Sequence, residues 1–295
     1  MCPMWSFHPR ETRNRLGKGS VIHAPLPRIF CAHHQGKGTT MTRAVRRSAL
    51  GLPAAATAVL AALGAQAWYA GHRPLPRFTD LDVDGVFGTE HGPEVRLAIL
   101  GDSTVTGTGL DDPADLWVRQ AVDRLTDLLR IRVRNHAAGG ARARDVLAQQ
   151  VDTAVVWRPD VALVSVGAND ALRRVRIARF EAELRAIVES LRSAGAVVVL
   201  AGVGDVGTAP LLPFPLRVVV SERSRVADRI HARVAAAYDG VVKVPVAEET
   251  TETFRRRSDL FCDDLFHPNR NGHQVWADAA FPVLQRALLG VAAHA

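Results

Sequence analysis

The chain has 295 residues, 47% of them hydrophobic and 23% charged, with a formal net charge of +7. That composition fits a globular protein with one sizeable core and excludes a disordered or fibrous chain. The positive charge resembles a nucleic-acid signal, but residues 1–50 hold nine of the 37 Lys/Arg and one acid, Glu11, leaving 28 basic against 29 acidic residues elsewhere. A nucleic-acid surface carries its basic residues on the folded part, so no nucleic-acid partner is expected.

Residues 1–40 mix Pro, Gly, His and Arg without periodicity and read as disordered or not natively translated, with translation starting at Met41. Arg43, Arg46 and Arg47 then precede a run without a charged side chain from Ser48 through Gly71. Crossing a bilayer takes about 20 such residues. Residues 41–71 are therefore read as a signal anchor crossing the membrane at 48–70, or as a signal peptide cut near Ala67 in Ala65-Gln66-Ala67. A buried Ala-rich helix is the remaining alternative. Trp68 and Tyr69 suit a membrane interface, and the arginine bias puts the rest of the chain outside the cytoplasm. The protein would be anchored there, or secreted if cleaved. Residues 72–93 read as a linker. Cys2 and Cys31 lie in the extension and Cys262 stands alone, so no disulfide framework is expected.

From residue 94 to 290, with a tail at 291–295, apolar strand-like runs alternate with helical patterns. The runs are 95–101, 131–138, 161–167, 196–204 and 241–247. Between them, "DPADLWVRQAVDRLTDLLR" has helical spacing with Asp111 or Asp112 as an N-cap before Pro113. "ARDVLAQQVDTAVV", "RFEAELRAIVESLRSAG", "SERSRVADRIHARVAAAY" and "NGHQVWADAAFPVLQRALLG" complete the helices. Continuous apolar strands separated by helices define an α/β fold with a parallel sheet covered on both faces.

Ligands of such sheets bind beyond the C-terminal strand ends. Gly101-Asp102-Ser103 follows the first run, Asn135 and Gly139-Gly140 the second, and Gly167-Ala168-Asn169-Asp170 the third. "FCDDLFHPNRNGH" adds Asp264 and His267 before the last helix. A serine, a glycine amide, an asparagine amide and an Asp/His pair are the inventory of acyl transfer. Each residue also has a plainer reading. Ser103 can cap a helix and Asn169 a turn, Gly139 competes with Gly140, and His273 competes with His267 as the base. One His and two carboxylates on a short loop are a poor metal site, so no metal and no cofactor is expected.

In "LGDSTVTGTG", "NHAAGGA", "GAND" and "DDLFHP", in that order, the chain resembles the SGNH (GDSL-type) hydrolases over roughly residues 95–290. The resemblance implies a three-layer α/β/α fold with a flavodoxin-like five-stranded parallel sheet of order 2-1-3-4-5. It implies Ser103 as nucleophile, His267 and Asp264 as the rest of a triad, and Ser103, Gly140 and Asn169 as oxyanion donors. The expected activity is cleavage of carboxylic esters through an acyl-serine. The apolar loop 208–220 offers Leu211, Leu212 and Phe214 as an acyl-pocket wall, and Arg255-Arg256-Arg257 could meet an anionic head group. Lipid-like or lysophospholipid-like esters are thus favoured as the small-molecule partner. The alternatives are removal of O-acetyl groups from cell-envelope glycans and a catalytically silent envelope binding module.

Overall fold

The computed structural model describes residues 56–69, 72 and 81–294. The chain divides into two units, Met1–Gly51 and Leu52–Ala295. The first unit lies outside the described residues, and with it the expected start at Met41. Part of the 48–70 run and residues 73–80 also lie outside them.

Six strands form one sheet: β1 (Gly85–Gly88), β2 (Glu94–Gly101), β3 (Arg130–Asn135), β4 (Val161–Ser165), β5 (Val197–Leu200) and β6 (Val241–Lys243). Their order is β1-β3-β2-β4-β5-β6. The five strands from β2 onward are parallel and hold the expected 2-1-3-4-5 order, with Leu97 opposite Val133 on one side and Val161 on the other. The sheet differs from the expected five strands by β1, which pairs antiparallel with β3 inside the segment read as a linker. Its four residues, GVFG, are too short for a periodic signal. Tertiary contacts hold them: Phe87 packs on the core, with the Arg119 guanidinium 3.6 Å from its ring centroid.

Alternate strand residues feed two cores. Leu97, Ile99, Leu163 and Val199 face one side, while Ala98, Leu100, Val164 and Leu200 face the other. The helices are α1 (Ser103–Thr106), α2 (Trp117–Asp123), α3 (Ala143–Gln149), α4 (Val151–Trp157), α5 (Ala168–Leu172), α6 (Ile177–Ser193), α7 (Leu216–Ala235), α8 (Val246–Arg256) and α9 (Arg270–Ala292). Trp117 and Val118 of α2 join Leu284 and Leu288 of α9 over the first face. Leu184 and Ile187 of α6 join Ile230 of α7 over the second. Each such side chain contributes about 1.5–3 kcal/mol by leaving water, and burial on both faces explains why the strands read as unbroken apolar runs.

Three helical expectations change. Asp112 caps only a short turn, accepting from the Ala114 amide at 2.8 Å, and α2 stops at Asp123; turns then bury Leu125 and Leu129 on the way to β3. The 143–156 pattern breaks at Gln150, whose side chain turns inward. The strand expected over 241–247 stops at Lys243, and Val246 and Ala247 open α8, whose Glu248 and Glu249 in the first turn and Arg255 and Arg256 in the last suit the helix dipole.

Residues 56–69 are helical. Leu63 packs against a satellite cluster of Ala209, Leu212, Leu216 and Val220. Gln66 donates from Nε2 to the Phe214 carbonyl at 2.9 Å and accepts on Oε1 from the Leu216 amide at 3.2 Å. Among the described residues, no helix is long and apolar enough to cross a membrane.

Candidate active site

β2 ends at Gly101, whose φ of +151° only glycine adopts readily, and an added Cβ would collide with the Ser165 carbonyl of β4. The buried Gln150 side chain satisfies both polar groups of Gly101, accepting from its amide at 2.8 Å and donating to its carbonyl at 2.9 Å. The next residue, Asp102, caps α1: its Oδ1 accepts from the Thr104 amide at 3.0 Å and the Thr104 hydroxyl at 2.8 Å. Capping therefore falls to Asp102, and Ser103 Oγ meets His267 Nε2 at 3.2 Å instead.

His267 belongs to a self-contained loop. Its Nδ1 lies 2.6 Å from Asp264 Oδ2, and Asp264 Oδ1 accepts from the amides of Phe266 at 2.8 Å and His267 at 2.9 Å. Burial pushes the Asp264 carboxyl up, but the His267 ring and the two amides outweigh it and hold the group below the usual carboxylate range. Asp264 thus stays ionised, and its bond to Nδ1–H leaves Nε2 free to accept from Ser103. The Cys262 thiol donates toward the Gly109 carbonyl at 3.1 Å and the Pro268 carbonyl at 3.2 Å, fastening this loop to the segment after α1. Burial first, then the nearby carboxylates of Asp264, Asp263 and Asp111, raise that thiol to about 11, so it stays protonated.

The other side is assembled from β3 and β4. At the end of β3, Asn135 donates to the Val105 carbonyl of α1 at 2.8 Å and accepts from the Ala137 amide at 3.0 Å. The turn closed by the Ala141 amide on Ala138 O, 3.1 Å, carries Gly140 at φ +76°, where glycine is favoured. After β4, Gly167 opens α5, and Asn169 Nδ2 donates to Asp102 Oδ2 at 3.3 Å. The buried Asp102 thus links the helix that carries Ser103 to Asn169, a role its position beside the serine does not disclose. Asp170 accepts from the Ala143 amide at 3.1 Å, tying the β3 and β4 loops together. Burial, partly offset by that amide and reinforced by Glu183 and Asp102, raises its carboxyl to about 6.

Ser103, Gly140, Asn169, Asp264 and His267 all line one cavity of about 700 Å³. Its apolar walls come from Leu172, Val203, Val206, Phe254, Phe266 and Trp276. The expected wall residues Leu211, Leu212 and Phe214 do not line it. Leu212 is buried in the satellite cluster and Phe214 is 75% exposed, while Val206 and Ala209, earlier in the same loop, reach the cavity. Trp276 was hidden among core-facing residues of the last helix, and Phe254 sits on the unforeseen α8. His273 is buried away from Ser103, 3.4 Å from the Trp117 amide, and burial lowers its ring to about 3. Arg255 pairs with Asp205, which lines the cavity, while Arg256 and Arg257 pair with Glu252 and Asp259, which do not. Among the described residues no group of three or more His, Cys, Asp or Glu could hold a metal ion.

A serine, imidazole and carboxylate in hydrogen-bonded sequence, with glycine and asparagine beside them at the carboxyl edge of a doubly wound sheet, define an SGNH-type hydrolase. The chain belongs to the GDSL-like lipase/acylhydrolase family, which it matches over residues 99–275. It is 34% identical over 222 residues, 70% of this chain and 69% of the relative, to a GDSL-like esterase of Mycobacterium tuberculosis. Against the esterase TesA of Pseudomonas aeruginosa it is 28% identical over 116 residues, covering 39% of this chain and 57% of the relative. A crystal structure of TesA shares the fold with a TM-score of 0.54 at 24% identity, covering 65% of this chain and 99% of that one. The protein is a carboxylic ester hydrolase.

Proposed function

We propose that hydrolysis runs through an acyl-Ser103 intermediate on lipid-like esters. The observation that carries the mechanism is the unbroken chain from Ser103 Oγ through both nitrogens of His267 to Asp264. His267 Nε2 takes the serine proton as Oγ bonds to the acyl carbon, and the tetrahedral oxyanion is held by the amides of Ser103 and Gly140 and by Asn169 Nδ2. Collapse breaks the ester C–O bond, and imidazolium returns the proton to the leaving alcohol. Water, deprotonated by the same imidazole, then releases the acid and restores Ser103. Asp264 fixes the imidazole tautomer and stabilises its charged form.

The cavity walls support the substrate class: Val206, Phe254, Phe266 and Trp276 offer an acyl chain of several carbons an apolar surface. An acetyl group would leave most of that surface uncovered, so glycan deacetylation is the weaker reading. We also propose that the charge-free run after Arg43, Arg46 and Arg47 carries the protein to the membrane and places the hydrolase outside the cytoplasm. The full chain assayed on 4-nitrophenyl esters from acetate to palmitate tests the substrate class. A kcat/KM rising from acetate toward medium or long chains is expected, and a maximum at acetate, together with acetate release from acetylated polysaccharide, would overturn it. Fractionation of cells tests the location, and recovery in the cytosol would contradict it.

A further inference from the structure

Arg173 follows the last residue of α5, one turn beyond Asn169, and its backbone amide donates to the Asn169 carbonyl at 2.9 Å. That spacing places residues 169 and 173 on one side of the turn. Its side chain reaches from the β4 loop to the β3 loop: a Cβ added at Gly140 would lie 3.7 Å from Arg173 Nη2. The guanidinium therefore stands beside the glycine proposed to hold the substrate oxyanion. Arg173 is exposed and makes no side-chain hydrogen bond or ion pair among the described residues. Of the arginines around it, Arg142 and Arg144 pair with Asp145, and Arg223 donates to the Ala171 and Val175 carbonyls, while the adjacent Arg174 is exposed and, among the described residues, unpaired like Arg173. The carboxylates that line the cavity, Asp102, Asp205 and Asp264, are buried and already bonded, as is Asp170 beside it.

We propose that Arg173 is an anion subsite of the esterase, binding a carboxylate or phosphate carried on the alcohol portion of the ester. A guanidinium offers two parallel N–H groups that match either anion. The alcohol side follows from the surroundings, because the cavity walls are apolar and suit the acyl chain, whereas Arg173 is exposed beside Gly140 and is not one of the residues that form those walls. This assignment rests on Ser103 and Gly140 handling the ester as described above.

The test uses matched butyrate esters. One pair is 4-butyryloxybenzoate against 4-butyryloxybenzamide, and the other is monobutyrylglycerol phosphate against monobutyrylglycerol. The expected result is a kcat/KM ratio, anionic over neutral, of about three to ten for at least one pair, as for an exposed charge pair. The pair that shows it identifies the anion. Arg173→Gln should bring that ratio to about one, and Arg173→Lys should restore part of it. The ratio should also shrink as salt rises. A ratio near one in the wild type, or an unchanged ratio in Arg173→Gln, overturns the subsite. If Ser103→Ala cleaves the neutral esters as fast as wild type, the mechanism has failed instead.

Discussion

Asp264 and His267 stand three residues apart on one loop whose own amides hold the carboxylate, whereas Ser103, Gly140 and Asn169 come from the ends of three strands and meet only because β3, β2 and β4 are neighbours. The loop carries its geometry within itself. The strand-end group depends on long-range ties: Gln150 to Gly101, Asn135 to Val105, Asp102 to Asn169 and Asp170 to Ala143. Damage to the first should act directly on proton transfer. Damage to the second should act on alignment, and should be graded by how many ties remain.

The largest effect is expected on the loop. His267→Ala removes the base outright and should lower kcat by about 10⁴-fold or more with little change in KM; a loss below tenfold in steady-state kinetics would break the contrast. On the strand-end side, Asn169→Ala removes one oxyanion donor and should cost about 10²–10³ in kcat. Asp102→Asn keeps an acceptor for Thr104 but turns an amide toward Asn169 Nδ2, so it should lower kcat about tenfold, by analogy with a misaligned donor. Its circular dichroism spectrum should stay that of wild type, and equal kcat values for wild type and variant would remove Asp102 from the site's architecture.

The smallest effect is on stability. Asp170 has a folded-state pKa raised to about 6 from 3.8. A raised carboxyl favours the protonated fold, so its contribution is complete below the ordinary value and is lost as pH rises through about 6. Asp170→Asn keeps an acceptor for the Ala143 amide without ionising. Its Tm relative to wild type should therefore be higher at pH 8 than at pH 4; a difference independent of pH would show that Asp170 does not titrate in this way.

The same contrast explains what could be read before folding. The D-x-x-H spacing and the apolar strand runs are local patterns, and from them the parallel α/β sheet and the Asp264–His267 pair are legible, while the sheet order follows only from the resemblance to the SGNH hydrolases. Asp102 shows in the sequence only as a neighbour of the serine, because its link to Asn169 crosses 67 positions. Gln150 reads as an ordinary polar helix residue, yet its side chain breaks the helix to reach Gly101 across 49 positions. β1 exists only through pairing with β3. Leu211, Leu212 and Phe214 do not line the cavity, because apolarity alone does not say which turn of a loop faces it. Phe214 instead lies in solvent beside the helical residues 56–69, with its carbonyl held by Gln66.

The central claim is that Ser103 is the nucleophile and His267 its base. A fluorophosphonate probe followed by peptide mass spectrometry tests it most directly. One adduct is expected, on Ser103, absent from Ser103→Ala and formed far more slowly in His267→Ala. An adduct on another residue, or unchanged labelling rates in His267→Ala, would contradict it.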